Sequence, residues 1–177
     1  MALLNTRTAY GTLSKILHWI LVVMLLMMTL GGLAYSRGWV EGLAQVNHEI
    51  FGKIILALAV IRLVLRLIAP TPKSNPHHAK WEIGLSHAVH WGLYLVLFLY
   101  PLSGWALTTA WREAYSGALP YWLIPETSES FLYNFHFAMK WVLLGFVSLH
   151  VAGALKHAIL DRDGTLKRMW FGRGASK

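Results

Sequence analysis

Residues 135–160 read FHFAMKWVLLGFVSLHVAGALKHAIL, an apolar stretch with His136 near its start and His150 fourteen residues later. Fourteen residues is almost four helical turns, so both imidazoles leave nearly the same face, about 21 Å apart along the axis. A histidine pair placed this way inside an apolar helix suits two stacked cofactors. The other histidines then have to be sorted as partners of these two.

Composition sets the environment. Of 177 residues, 56% are hydrophobic and only 14% charged, whereas a soluble domain carries about 25% charged residues. The chain therefore reads as a membrane protein, with room for four spans of roughly 20 residues each. The net charge of +8 sits in residues flanking apolar runs, as expected of membrane topology and not of a nucleic-acid surface. No cysteine is present, which excludes disulfides, thiolate-held iron–sulfur clusters and covalent c-type haem attachment. The first apolar run, Ile16 to Tyr35, is too long for a signal-peptide core and is read as a retained helix.

The expected spans are Leu13–Tyr35, Asn47–Ile68, Leu85–Ala110 and Asn134–Leu160. Pro70 and Pro72 end the second, and Pro101 lies inside the third, where a kink is expected. The segment from Thr71 to His78 is a Pro-rich loop, with His77 and His78 expected in solvent. Trp111 to Tyr133, rich in Trp, Tyr and Pro, is expected at the membrane interface.

Arg7, Lys15, Lys73, Lys80, Arg162, Lys167, Arg168, Arg173 and Lys177 fall on one side, together with Arg62 and Arg66 at the adjoining end of span two. The positive-inside rule makes that side cytoplasmic. The expected fold is an all-α, four-helix, up-down-up-down bundle forming a single domain, with both termini inside.

Orientation gives each histidine a depth. His48 and His136 share an outer level; His18 and His150 share an inner one. A bis-histidine haem requires two imidazoles from different helices on opposite sides of one porphyrin, and this pattern supplies that twice. Gly32 lies on the His18 stripe at the outer level, and Gly52 one turn after His48 on the same face, where small residues admit a porphyrin. Arg62, fourteen residues after His48, places a cation near the inner level as counter-charge for propionates. Gly32 and Gly52 are also ordinary helix-packing residues, and Arg62 an ordinary boundary anchor; Arg66 is read as such an anchor. His87, His90 and His157 form a third group toward the inner side, open to three roles: spare ligands, core hydrogen-bonders, or proton acceptors of a quinol site.

These residues carry a resemblance. Leu17-His18-Trp19, Asn47-His48 with Gly52, Arg62-Leu63-Val64-Leu65-Arg66-Leu67 leading into Pro70-Thr71-Pro72, Ser86-His87-Ala88-Val89-His90, and Leu149-His150 with His157 resemble the bacterial cytochrome b561 family over nearly the whole chain. Those proteins are di-haem four-helix membrane cytochromes, with the cytochrome b subunits of nickel–iron hydrogenase and formate dehydrogenase as broader relatives. The resemblance implies two haem b groups ligated by His18, His48, His136 and His150. It further implies electron transfer in the bacterial inner membrane between the quinone pool and a periplasmic donor or acceptor.

One branch looks like a superoxide oxidase with a cationic funnel. Arg37, Lys53, Arg112 and Lys140 are the cations here that can steer an anion, among Glu41, Glu49, Glu113, Glu126 and Glu129 on the same side. Two rival readings remain. One is a membrane-anchor subunit of a larger dehydrogenase or hydrogenase complex. The other is a histidine-based divalent-metal transporter, disfavoured because no carboxylate lies mid-span.

Overall fold

The computed structural model describes residues 2–40, 43–74, 78–111 and 117–171. Four long helices dominate: α1 (Thr12–Ser36), α2 (Leu43–Ile68), α3 (Lys80–Ala110) and α4 (Glu129–Leu155). One 3₁₀ turn, Glu126–Ser128, leads into α4, and a π-helical turn, Lys156–Leu160, prolongs it. A second 3₁₀ turn, Leu166–Met169, lies in the tail.

The helices start and stop for local reasons. Glu82 in the first turn of α3 accepts the Ala79 N–H at 2.9 Å, satisfying a donor the helix itself cannot use. Two prolines follow the end of α2, and Arg66 in its last turn reaches the Thr71 hydroxyl. Helices occupy all four expected runs with shifted ends: α3 begins five residues before Leu85 and α4 five before Asn134, because the more polar residues ahead of each apolar run already adopt the helix. Pro101 lies within α3.

Among the described residues, α1, α3 and the helical stretch Glu126–Leu160 are long and apolar enough to cross a membrane. α2 carries Glu49, Lys53, Arg62 and Arg66 and is shielded differently, packing against α1 on one side and α3 on the other. Leu21, Ile55, Ala59 and Leu97 form the apolar centre of these three helices, flanked by Met24, Leu25, Met28 and Leu58. Large apolar side chains such as Leu26, Met27, Leu30, Leu95, Trp141 and Ile159 point outward and are exposed, the pattern expected where lipid replaces water as solvent.

α4 packs along α3, with the Phe146 ring against Gly92. Neither α1 nor α2 packs extensively on α4. The N-terminal segment, the Pro-rich loop and the tail meet at one end of the bundle. There the Lys73 N–H donates to the Arg7 carbonyl at 3.1 Å, and the Arg168 guanidinium donates to the Lys73 carbonyl at 3.0 Å. Lys15 donates to the Trp170 carbonyl at 3.1 Å and the Trp19 indole to the Met169 carbonyl at 3.0 Å, with the Trp19 and Trp170 rings edge to face.

Candidate functional site

Two histidine pairs stand across the separation between α4 and the helices α1 and α2. Near the end where the termini meet, His18 of α1 faces His150 of α4 with ring centres 6.1 Å apart. Toward the opposite end, His48 of α2 faces His136 of α4 at 6.3 Å. All four rings are half-buried.

The separations can be tested against chemistry. A metal lies about 2.0 Å from a bound imidazole nitrogen, and that nitrogen about 1.1 Å from its ring centre. Two axial imidazoles therefore have centres about 6.2 Å apart. Both pairs fit. His90 of α3 also touches His150, but at 5.2 Å, about 1 Å too close to share a metal across from it on the same geometry. On this measure His18, and not His90, stands at the bridging separation from His150.

α3 completes the surroundings of His136. The Ser103 hydroxyl donates to the Tyr100 carbonyl at 2.7 Å, so toward the His136 ring, 2.9 Å away, it acts as acceptor from Nδ1–H. That assigns the tautomer from the hydrogen-bond network and leaves Nε2 with its lone pair, the state a ligating histidine needs. The Tyr100 ring lies 4.5 Å from His136. A Cβ at Gly104 would stand 2.9 Å from His136 Cε1, and one at Gly32 3.6 Å from His48 Cε1. Gly32 therefore borders the pair expected from its position, whereas a Cβ at Gly52 would meet nothing within 4 Å. Tyr100, Ser103 and Gly104 escaped the sequence reading. Their signal was a tyrosine just before Pro101 and a polar and a small residue just after it.

Arg62 is half-buried and donates to the Ser14 carbonyl of α1 at 2.9 Å. A side-chain hydrogen bond also joins it to Tyr94, and the five N–H donors of a guanidinium exceed these two contacts. The third histidine group divides: His87 is exposed, His90 lies against His150, and His157 packs with His78 and the tail. His78 departs from its expected solvated state. Its side chain is only 13% exposed and its Nε2 lies 2.5 Å from an Asp163 carboxylate oxygen, because the tail folds back over the loop. His77 lies outside the described residues.

Of the cations expected to steer an anion, Lys53 is paired with Glu49 at 2.7 Å and sits over the Trp105 ring. Arg37 lies over Trp39 and Lys140 over Trp141. Arg112 lies outside the described residues.

Residues 9–172 match the family model described as prokaryotic cytochrome b561. The chain is 31% identical to cytochrome b561 homolog 2 of Escherichia coli (strain K12), over 96% of this chain and 95% of that protein. It is 25% identical to the probable superoxide oxidase CybB of Yersinia pestis, over 90% and 94% of the two chains. Cytochrome b561 homolog 1 of Escherichia coli (strain K12) is 24% identical over 86% and 92%. With apolar helices, imidazoles at metal-bridging separations and a match along almost its whole length, the chain belongs to the prokaryotic cytochrome b561 family, bacterial membrane proteins that transport electrons on b-type haem.

Proposed function

We propose that the chain crosses the bacterial inner membrane four times with both termini in the cytoplasm. In that frame it holds two b-type haems as one domain and passes electrons between the quinone pool and a periplasmic donor or acceptor. His48 and His136 hold the outer haem and His18 and His150 the inner. The carrying observation is the pair of ring separations, 6.3 and 6.1 Å, both matching imidazoles on one iron. When bound, the haems supply one-electron carriers at two depths.

The chain's own residues do the rest. Ser103 fixes the His136 tautomer, Gly32 and Gly104 leave room beside the ligating rings, and Arg62 offers charge to the propionates. Gly52, where a Cβ would meet nothing within 4 Å, is proposed to leave space for the outer porphyrin one turn after His48. His87, His90 and His157 lie toward the end assigned to the cytoplasm and are the residues proposed to serve a quinone site. There a proton must accompany each electron, and an imidazole is suited to carry it.

Superoxide is the donor we propose, since one relative is named a probable superoxide oxidase. Arg37 and Lys140 are the cations placed to guide it. The test is superoxide-driven reduction of a soluble quinone by the purified chain, followed with reduced-minus-oxidised haem spectra. Turnover by the chain alone is expected. A chain showing b-type spectra but turning over only with a copurifying soluble subunit would make it a membrane anchor, and absent b-type spectra would overturn the haem reading itself.

Gly104 gives a sharper test of the outer site. Gly104→Val places two methyl groups beyond a Cβ already 2.9 Å from the His136 ring, so the ring must turn off its axis. The expected result is loss of most outer haem with the inner haem retained, read as about half the wild-type pyridine haemochrome signal. Gly104→Ala is expected to lose less.

A further inference from the structure

The end of the bundle where the termini meet carries a cluster of which the proposed electron path uses His157 alone, as a quinone-site candidate. We propose that His78, His157 and Asp163 form a binding site for a divalent cation of the zinc type. Three chain segments contribute: the loop before α3, the π-helical turn after α4, and the turn that follows it.

One donor atom from each residue lies within 4.8 Å of the other two, and the side chains are 13, 15 and 10% exposed. The His78 and His157 rings stack at 4.1 Å. Asp163 Oδ2 lies 2.5 Å from His78 Nε2 and 3.2 Å from His157 Nδ1.

The carboxylate is held in place from behind. Its Oδ1 accepts the Thr165 N–H at 2.8 Å, and the Asp163 N–H donates to the His157 carbonyl at 3.2 Å. Arg162 and Gly164 both have positive φ, 50° and 77°, and this tight reversal returns Asp163 toward the helix. A carboxylate is an anion at neutral pH, so Asp163 brings a charged oxygen donor to the two imidazoles.

His157 Nδ1 adds to the geometry. The atom is buried, with carboxylate oxygens of Asp161 and Asp163 2.8 and 3.2 Å away. A buried imidazole nitrogen faced by two carboxylates borders a space whose chemistry suits a cation. Lys156 neutralises Asp161 and Glu82, at 2.7 Å from each, which leaves Asp163 as the carboxylate ligand.

Two imidazoles and one carboxylate, with a fourth position for water, suit tetrahedral Zn²⁺ and not the oxygen-seeking Mg²⁺ or Ca²⁺. Ligands about 2.0–2.1 Å from such an ion stand about 3.3 Å apart. His157 and Asp163 already do, while His78, on non-helical chain, must withdraw by about 1 Å from both the carboxylate and the stacked His157 ring.

The test uses the full, haem-loaded chain in detergent, stripped of loose metal and titrated with Zn²⁺, with Mg²⁺ as control. One Zn²⁺ per chain is expected and no Mg²⁺. His78→Ala and the near-isosteric Asp163→Asn should each weaken binding at least about tenfold, with haem spectra unchanged. Zinc-edge X-ray absorption on the wild-type chain should show two imidazoles around the ion. No stoichiometric Zn²⁺, undiminished binding in both variants, or a first shell without imidazole would overturn the site. These readouts do not depend on where quinone reacts.

Discussion

Alanine at His48 or at His136 halves the haem content of the purified chain and leaves the inner haem spectrally intact. The expectation follows from helix rigidity. His136 and His150 share α4, about 21 Å apart along its axis, so deleting the outer imidazole does not move the inner one. Loss should be near complete, not partial. A b-type haem without cysteine attachment is held by axial bonds and packing alone, and the facing ring, 6.3 Å away, cannot bridge the iron by itself. Haem quantification by pyridine haemochrome, with magnetic circular dichroism to count bis-histidine centres, checks this. Two intact bis-histidine haems in either variant would show that the pairing in the structure is not the pairing used. On the proposed pairing, in which the two rings serve one centre, His136→Ala should match His48→Ala closely.

The histidine pairs were legible because a helix converts sequence spacing into depth. Once charge counting gave the four runs a direction, His18, His48, His136 and His150 fell into two levels with no information about contacts, and Gly32 followed from the same stripe. The contribution of α3 was not legible that way. Ser103 and Gly104 act on His136 through the packing of α3 against α4, and no periodicity within span three announces which neighbour its small or polar residues will meet.

The loop histidine failed for a related reason. Thr71 to His78 has the composition of solvated chain, yet His78 is covered because Asp163, some eighty-five residues later, is brought back by a turn built on Arg162 and Gly164. Local composition reports the water a segment would meet alone, not the segment that later folds over it.

Removing the inner pair separates electron entry from electron exit. In His18→Ala or His150→Ala, the outer pair is untouched, so an external one-electron donor should still reduce the remaining haem at close to the wild-type rate. Quinone reduction should fall to the uncatalysed background. The reason is distance: the outer imidazole of α4 lies about 21 Å along the helix from the inner one, and quinone at the end assigned to the cytoplasm would have no carrier beside it. Stopped-flow absorbance of the haem bands, run alongside quinone consumption, resolves the two steps.

His90 is the control. It touches the same His150 ring, 5.2 Å away, but from α3 and at a separation too short for the iron-bridging arrangement. His90→Ala should therefore keep both haems and show its effect, if it serves quinone, only in the second step. Loss of the inner haem in His90→Ala with its retention in His18→Ala would reverse the assignment of the axial partner.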